Sequence, residues 1–244
     1  VTTPTPPVTL VAPAKLTLSL RMTGLREDGY HLIEAEMVTL DLVDTLELTE
    51  GADGLEILDA ATGRPHAVGV GEDNLVRRAL ALANRRASVV VTKRIPAGAG
   101  LGGGSADAAA VLRWAGHTDL VSAAGLGADV AFCLVGGRAR VTGIGEVVEP
   151  LPFVERTLTL LTPPFGCSTP AVYRAWDELG GPTGDHGNDL EPAALVVAPE
   201  LVHWRDRLAE ASGQRPRLAG SGSTWFVDGA HPGDGRVVVR TVPA

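Results

Sequence analysis

Five glycines crowd into nine residues at Pro96–Gly104 (PAGAGLGGG), between a β-branched run ending at Ile95 and an alanine-rich stretch opened by Ser105. Such a run cannot form the interior of a helix or a strand, because glycine forfeits more backbone freedom there than any other residue. It reads as a loop joining a strand, Val89–Ile95, to a helix that reaches about Trp114. Closely spaced glycines let a backbone approach phosphates and aim N–H groups at them from a helix N-terminus. A loop needed only for packing is the other reading the residues allow.

Two familiar phosphate loops fit poorly. Gly98, Gly100 and Gly103 satisfy G-x-G-x-x-G, but the helix leads into His117–Gly125 (HTDLVSAAG). A dinucleotide fold needs instead a second parallel strand ending in an acid about 20 residues on. No Gly-Lys-Ser/Thr closes the run, which excludes a Walker A loop.

The remainder of the chain reads as α+β. The second half of Val8–Leu20 alternates Leu16, Leu18 and Leu20 against Lys15, Thr17 and Ser19, giving a strand with one polar face, broken at Pro13. Arg26–His31 marks a turn, Glu36–Thr49 a second strand, and Gly51–Gly71 an irregular hairpin with a strand at Leu55–Leu58. Asp73-Asn74 caps a helix from Leu75 to about Arg86 that turns Leu75, Ala79 and Leu82 to one side. A turn-rich stretch leads through Gly127-Ala128-Asp129 to Val130–Leu134, and a strand follows at Ala139–Thr142. After Pro150 the pattern restarts, with strands at 157–161, 223–227 and 237–241 and helices at 170–178, 191–197 and 200–211. No internal repeat is visible. A boundary near Pro150 divides residues 1–150 from 151–244.

Composition narrows the function. With 45% hydrophobic and 20% charged residues, the 244-residue chain is no disordered segment and can bury a core without a metal or disulfide. Cys133 and Cys167 are the only cysteines and neither has a CxxC neighbour, so no zinc or disulfide framework is expected, and a reducing, cytoplasmic setting is. The net charge of -8, with no basic run longer than two residues, argues against a nucleic-acid partner. Val1–Pro7 lacks the basic flank and apolar centre of a signal peptide, and no stretch nears ~18 apolar residues, so no membrane partner is expected. Among the 21 basic residues only Lys15 and Lys93 are lysines. A chain that uses Arg elsewhere keeps Lys where a compact ammonium matters.

The whole string Lys93–Ala109 (KRIPAGAGLGGGSADAA) is more specific than any of its parts. It closely resembles the phosphate loop of the GHMP kinases, in the form carried by the branch acting on a cytidine-diphosphate-linked methylerythritol. Ala12–Leu16 with Asp28–His31 resembles that branch's N-terminal motif, and Ala219–Thr224 its C-terminal glycine motif. Gly127–Val130, Gly143–Glu146, Ser168–Pro170 and Asn188–Glu191 match as well, so the likeness runs from about Val11 to Val227.

The resemblance implies a two-domain fold, with an N-terminal domain like ribosomal protein S5 domain 2 and a ferredoxin-like C-terminal domain. It implies transfer of the ATP γ-phosphoryl group, with Mg²⁺, to an erythritol hydroxyl in the non-mevalonate route to isoprenoids. It places Asn74, Pro96, Gly98, Gly100, Leu101, Gly102, Gly103, Gly104, Ser105 and Ala106 around ATP, and assigns no residue as a metal ligand. Thr17, Tyr30, His31, Thr169 and Tyr173 fall around the cytidyl substrate, and Lys15 and Asp129 at the point of transfer. Taken alone, Asp129 reads as a turn or cap residue, Lys15 as a strand-edge cation and Asn74 as a helix cap. Two further readings stand beside this one: another GHMP enzyme acting on a different small alcohol, or a nucleotide-binding homologue of reduced activity. Tyr30-His31 favours the cytidyl branch over the former, and the pair Lys15 and Asp129 favours an enzyme over the latter.

The chain also departs from the pattern. Thr17 stands where the family usually has Asn, and Ala131 where it has proline. About a dozen residues replace a longer helical stretch between Trp114 and Gly127, and Asp228–Arg236 (DGAHPGDGR) replaces a helix. The expectation is a tight turn joining the strands 223–227 and 237–241. It leaves the last sheet face partly bare, so that the chain forms a weak homodimer through it or loses stability.

Overall fold

The computed structural model describes residues 6–244; of the Thr/Pro-rich start Val1–Pro7, residues 1–5 lie outside the described residues. Two long strands, β1 (Val8–Leu25) and β2 (His31–Glu50), pair antiparallel across the turn at 26–30. The chain continues through β3 (Gly54–Asp59), α1 (Leu75–Leu82) and β4 (Ala87–Lys93), laying β3 parallel to β4. Next come α2 (Gly103–Trp114), the short helices α3 (Leu120–Ala124) and α4 (Val130–Val135), and a hairpin of β5 (Arg138–Gly143) and β6 (Val147–Pro150). The last third holds β7 (Thr157–Leu161), α5 (Thr169–Glu178), α6 (Glu191–Val197), α7 (Leu201–Ser212), β8 (Arg217–Leu218), β9 (Trp225–Asp228) and β10 (Arg236–Val242).

β2 organises the sheet. β1 occupies one of its edges along nearly the whole length, and the other edge is shared in succession by β5 at 33–38, β10 at 39–40 and β4 at 45–50. β10 also pairs with β7, which carries β9 on its far side, so a single hydrogen-bonded path runs through the molecule. Leu16, Leu40, Leu46, Leu48, Val89 and Val91 are fully buried in β1, β2 and β4, and Leu158, Leu160, Trp225 and Phe226 are buried around β7 and β9. Ala106, Ala108, Ala109 and Ala110 of α2 are buried, and such small side chains let a helix backbone sit close to the β1–β2 layer.

Several expectations change. Pro13 does not break β1, which runs on to Leu25; the pairing shifts register between Pro13 and Lys15, a bulge that tolerates proline and its missing N–H. The polar face of β1 is not solvated at Lys15 and Thr17, which are as buried as the neighbouring leucines. Gly51–Gly71 is no hairpin, because β3 pairs in parallel with β4. α1 stops at Leu82 and buries Val76 and Ala79 rather than Leu75 and Leu82. α2 begins at Gly103, two residues before Ser105. Residues expected to be turn-rich contain α3. Residues 229–235 do not close a hairpin: β9 and β10 both pair antiparallel with β7, so the connection crosses the end of β7. Val237 and Val238 on β10 remain 48% and 39% exposed.

Candidate active site

The shift at Pro13/Lys15 decides where Lys15 goes. There the Lys15 amide bonds to the Leu101 carbonyl at 3.0 Å instead of to β2, tying the glycine loop to β1. The Lys15 side chain is 6% exposed and its Nζ lies 3.1 Å from Asp129 Oδ2, with Thr17 Oγ1 accepting a second bond at 3.0 Å. Asp129 precedes α4 without capping it. Its carboxylate, 29% exposed, is therefore left to Lys15 and to whatever binds beside it.

The glycine loop is backbone architecture. Gly98, Gly100 and Gly102 all have φ near +70°, and Gly102 takes φ 68° as the N-cap of α2. A Cβ on Gly102 would stand 2.7 Å from Lys15 Cγ, and one on Gly100 2.5 Å from the Ala219 carbonyl oxygen. Glycine is thus what allows the loop to lie against both β1 and the 219–224 turn. The first-turn amides of α2, at Gly103 to Ser105, have no intrahelical acceptor and point out of the helix end, where the dipole favours an anion.

Two cavities flank this loop. The first, of about 460 Å³, is lined by Asn74, Pro96, Gly98, Gly100, Gly102, Gly103, Gly104 and Ser105, together with Leu75, Lys93, Asp107 and Cys167. The second, of about 350 Å³, is lined by Lys15, Thr17, Tyr30, His31, Thr169 and Tyr173, with Met37, Ile144 and Ser221. Gly100, Asp129 and Thr169 line both. A ligand in each would meet at Asp129.

Fifteen of the seventeen residues singled out in the sequence therefore line one cavity or both. Leu101 and Ala106 do not: their side chains are buried in the core at 1% and 0% exposure. Asn74 lines the first cavity but spends its amide locally, Oδ1 accepting from Val76 N at 2.9 Å and Nδ2 donating to Gly69 O at 2.8 Å. Thr169 shares a 2.8 Å hydrogen bond with Ser221, which joins α5 to the 219–224 turn. His31 packs 5.1 Å from Tyr173 and edge-on to Trp176 at 5.6 Å, and its Nε2 meets Asp177 Oδ1 at 2.7 Å. Tyr30 is 58% exposed at the rim under the Arg26 guanidinium. Burial, with Asp129 nearby, pushes the Tyr173 hydroxyl up to about 12, so it stays neutral.

Lys93 is the other lysine, and it too is buried in an ion pair. It joins Asp44, the pair closing tightly, and Asp107 Oδ2 at 2.6 Å, while Asp44 Oδ1 accepts from the Arg94 and Ile95 amides at 2.5 and 2.8 Å. Burial opposes the Lys93 charge, yet Asp107 and Asp44 hold its ammonium above the ordinary value. Burial and the Asp44 charge, working against Lys93, push the Asp107 carboxyl up to about 7. Asp107 Oδ1 is buried with no hydrogen-bond partner. Sequence reasoning flagged Lys93 by its rarity and missed both carboxylates. A lone acid in the wholly buried run Ala106–Leu112 was the available signal for Asp107. Asp44 looked like any polar position of a strand. Cys133 in α4 is pushed up to about 12 by burial and is no nucleophile here.

Comparison with known proteins points the same way. Residues 74–137 match the GHMP kinases N terminal domain. The 4-diphosphocytidyl-2-C-methyl-D-erythritol kinase of Paracoccus denitrificans (strain Pd 1222) is 39% identical over 88% of this chain and 84% of its own length. The enzyme of that name from Cereibacter sphaeroides (strain ATCC 17025 / ATH 2.4.3) is 39% identical over 88% and 87%. A crystal structure of 4-(cytidine 5'-diphospho)-2C-methyl-D-erythritol kinase superposes with a TM-score of 0.76 at 29% identity, covering 97% of this chain and all of that one.

Proposed function

This chain belongs to the 4-diphosphocytidyl-2-C-methyl-D-erythritol kinases of the GHMP family, and we propose that its two cavities hold ATP and the cytidyl substrate with Asp129 between them. The enzyme transfers the ATP γ-phosphoryl group to a hydroxyl of the erythritol moiety, a step in isoprenoid synthesis. The observation that carries the assignment of roles is the junction at Gly100, Asp129 and Thr169, with Lys15 Nζ 3.1 Å from the Asp129 carboxylate.

Phosphoryl transfer asks a protein for positioning and charge stabilisation more than for covalent chemistry. The first-turn amides of α2 and the glycine loop bind the ATP phosphates. Asp129 accepts the hydrogen bond of the acceptor hydroxyl and takes its proton as the new O–P bond forms. The Lys15 ammonium faces the same point and stabilises negative charge on the transferring group. Tyr30, Tyr173 and His31 hold the cytosine, with the flat aromatic faces stacking on the base.

Among the described residues no three His, Cys, Asp or Glu side chains cluster closely enough to hold a metal on their own. Mg²⁺ is bound in many such sites by phosphates and one or two protein oxygens, and the hard hydroxyl oxygen of Ser105 at the first cavity fits that part. When bound it neutralises charge on the β- and γ-phosphates. The division at Pro150 belongs to the same proposal, supported by β3 to β6 pairing with β2 or with one another and β8 to β10 pairing with β7 or β9, with β10 alone also reaching across to β2 at 39–40. So does a cytoplasmic setting, supported by two unpaired cysteines, Cys133 and Cys167.

Incubation with ATP, Mg²⁺ and 4-diphosphocytidyl-2-C-methyl-D-erythritol is expected to release ADP, with the uridine analogue reacting poorly. A site that hydrogen-bonds one base edge leaves buried polar groups unmatched by another. Equal turnover of both nucleotides, or turnover of mevalonate instead, would overturn the assignment of the second cavity.

A further inference from the structure

We propose that Asp177, which lies outside the acceptor cavity, decides which pyrimidine that cavity takes by fixing the tautomer of His31. The inference rests on the second cavity being the cytidyl site.

Asp177 Oδ1 is 2.7 Å from His31 Nε2. An ionised carboxylate only accepts, so the nitrogen facing it must carry a proton, and among the neutral tautomers of the imidazole this selects the one protonated on Nε2. The ring has little freedom to turn away. The His31 side chain is 13% exposed, packed against Tyr173 on one side and the edge of Trp176 on another. Trp176 is itself fixed by the bond from Nε1 to Pro182 O at 2.9 Å. Of this cluster only His31 and Tyr173 line the cavity.

With Nε2 committed to Asp177, the ring nitrogen left to a ligand is Nδ1, and in this tautomer Nδ1 is a lone-pair acceptor. Cytosine presents an exocyclic amino donor at the position where uracil, like thymine, presents a carbonyl acceptor. Nδ1 can accept from the amino group, whereas it meets the carbonyl lone pair to lone pair. Asp177 is therefore a positioning residue for base choice. An amide at 177 can turn either its oxygen or its NH₂ toward Nε2, so Asp177→Asn admits both tautomers, and Asp177→Ala imposes neither.

The test pairs two measurements. Long-range ¹H–¹⁵N spectra of the ligand-free wild type should show His31 protonated at Nε2 alone, a readout independent of turnover. Steady-state kcat/KM for the cytidyl substrate and its uridine analogue should then give a preference that falls about tenfold in Asp177→Asn and Asp177→Ala, the scale of one hydrogen bond. The loss should come through KM for the cytidyl substrate, with kcat within about twofold, and Asp177→Glu should recover part of it. A preference unchanged in both variants, or His31 carrying a proton on Nδ1 in the wild type, would overturn the inference. If the wild type ignored the cytidyl substrate altogether, the assignment of the cavity would fail instead, and the spectrum would still report the tautomer.

Discussion

The two cavities are built by different means. The first is built around main chain: one contiguous stretch, Pro96–Ser105, supplies the largest single share of its wall, and the shape of that stretch follows from three positive φ angles at Gly98, Gly100 and Gly102. The second is mostly side chains, brought together from β1, the 26–30 turn, β2, the Gly127–Asp129 turn, α5 and the 219–224 turn. A main-chain cradle recognises what every nucleotide has, its phosphates, and its backbone turns are specified by local sequence. A side-chain cavity recognises one particular acceptor and exists only once distant segments have packed. Asp129 and Lys15 stand where the general half meets the particular half.

The largest effect should come from severing that junction. Asp129→Asn keeps the shape of the turn and removes the proton acceptor, so kcat should fall by roughly 10²–10⁴ while ATP affinity changes little. Lys15→Ala should lower kcat as well, because charge on the transferring group loses its nearest cation. Single-turnover rates beside equilibrium ATP binding would separate the two halves. Wild-type turnover in Asp129→Asn would remove Asp129 from the chemistry.

Gly102→Val strikes the place where the halves touch, and a smaller but double effect is expected. At φ 68° a β-branched residue is strained, and its Cβ would lie 2.7 Å from Lys15 Cγ. The loop must shift or Lys15 must leave Asp129. ATP affinity should drop about tenfold or more and turnover should fall with it, alongside a stability loss of about 1–3 kcal/mol. A stable variant with unchanged ATP affinity would show that the loop does not cradle phosphates.

How much was legible in advance follows the same division. The glycine loop declared itself because its physics is local: strand, five glycines, helix. Even so the start of α2 was misplaced by two residues, because an αL N-cap at Gly102 leaves Gly103 and Gly104 free to be helical, which their low propensity hides. Helix α6 fell where Pro192 and the apolar run put it. The side-chain cavity was legible only through motif likeness: Thr169 and Tyr173 share one face of α5 by their i,i+4 spacing, but nothing in the sequence joins them to Thr17 or Tyr30. Asp44 and Asp177, one step behind the lining, were missed because a strand or helix surface offers an acid the same appearance whether it meets water or a buried partner, and Asp107, on the lining itself, was missed although the buried run around it carried a signal. The crossing at 229–235 was missed for a topological reason. A short polar loop between two strands favours a hairpin, and only the insertion of β7 between β9 and β10 excludes it.

The smallest predicted effect concerns the floor of the nucleotide cavity, where two carboxylates share one ammonium. With Asp107 pushed up to about 7 from an ordinary value of 3.8, the folded protein holds a proton there that the unfolded chain releases. Stability from this group is therefore fully present below about pH 4 and is lost as the pH rises through about 7. That sign is opposite to the usual carboxylate, whose folded value is depressed and whose contribution vanishes in acid. Asp107→Asn replaces the second carboxylate by a neutral amide that can still accept from Lys93, leaving Lys93 paired with Asp44. Urea unfolding of the two proteins between pH 4 and pH 8 should show the wild type losing ground to the variant as the pH rises, by about 1–2 kcal/mol on the scale of a buried polar group imperfectly paired. Parallel curves would mean that Asp107 and Asp44 are both ionised around the single Lys93 ammonium. The floor beneath the phosphates would then carry a net negative charge at neutral pH, and the main-chain cradle would have to bind ATP against it.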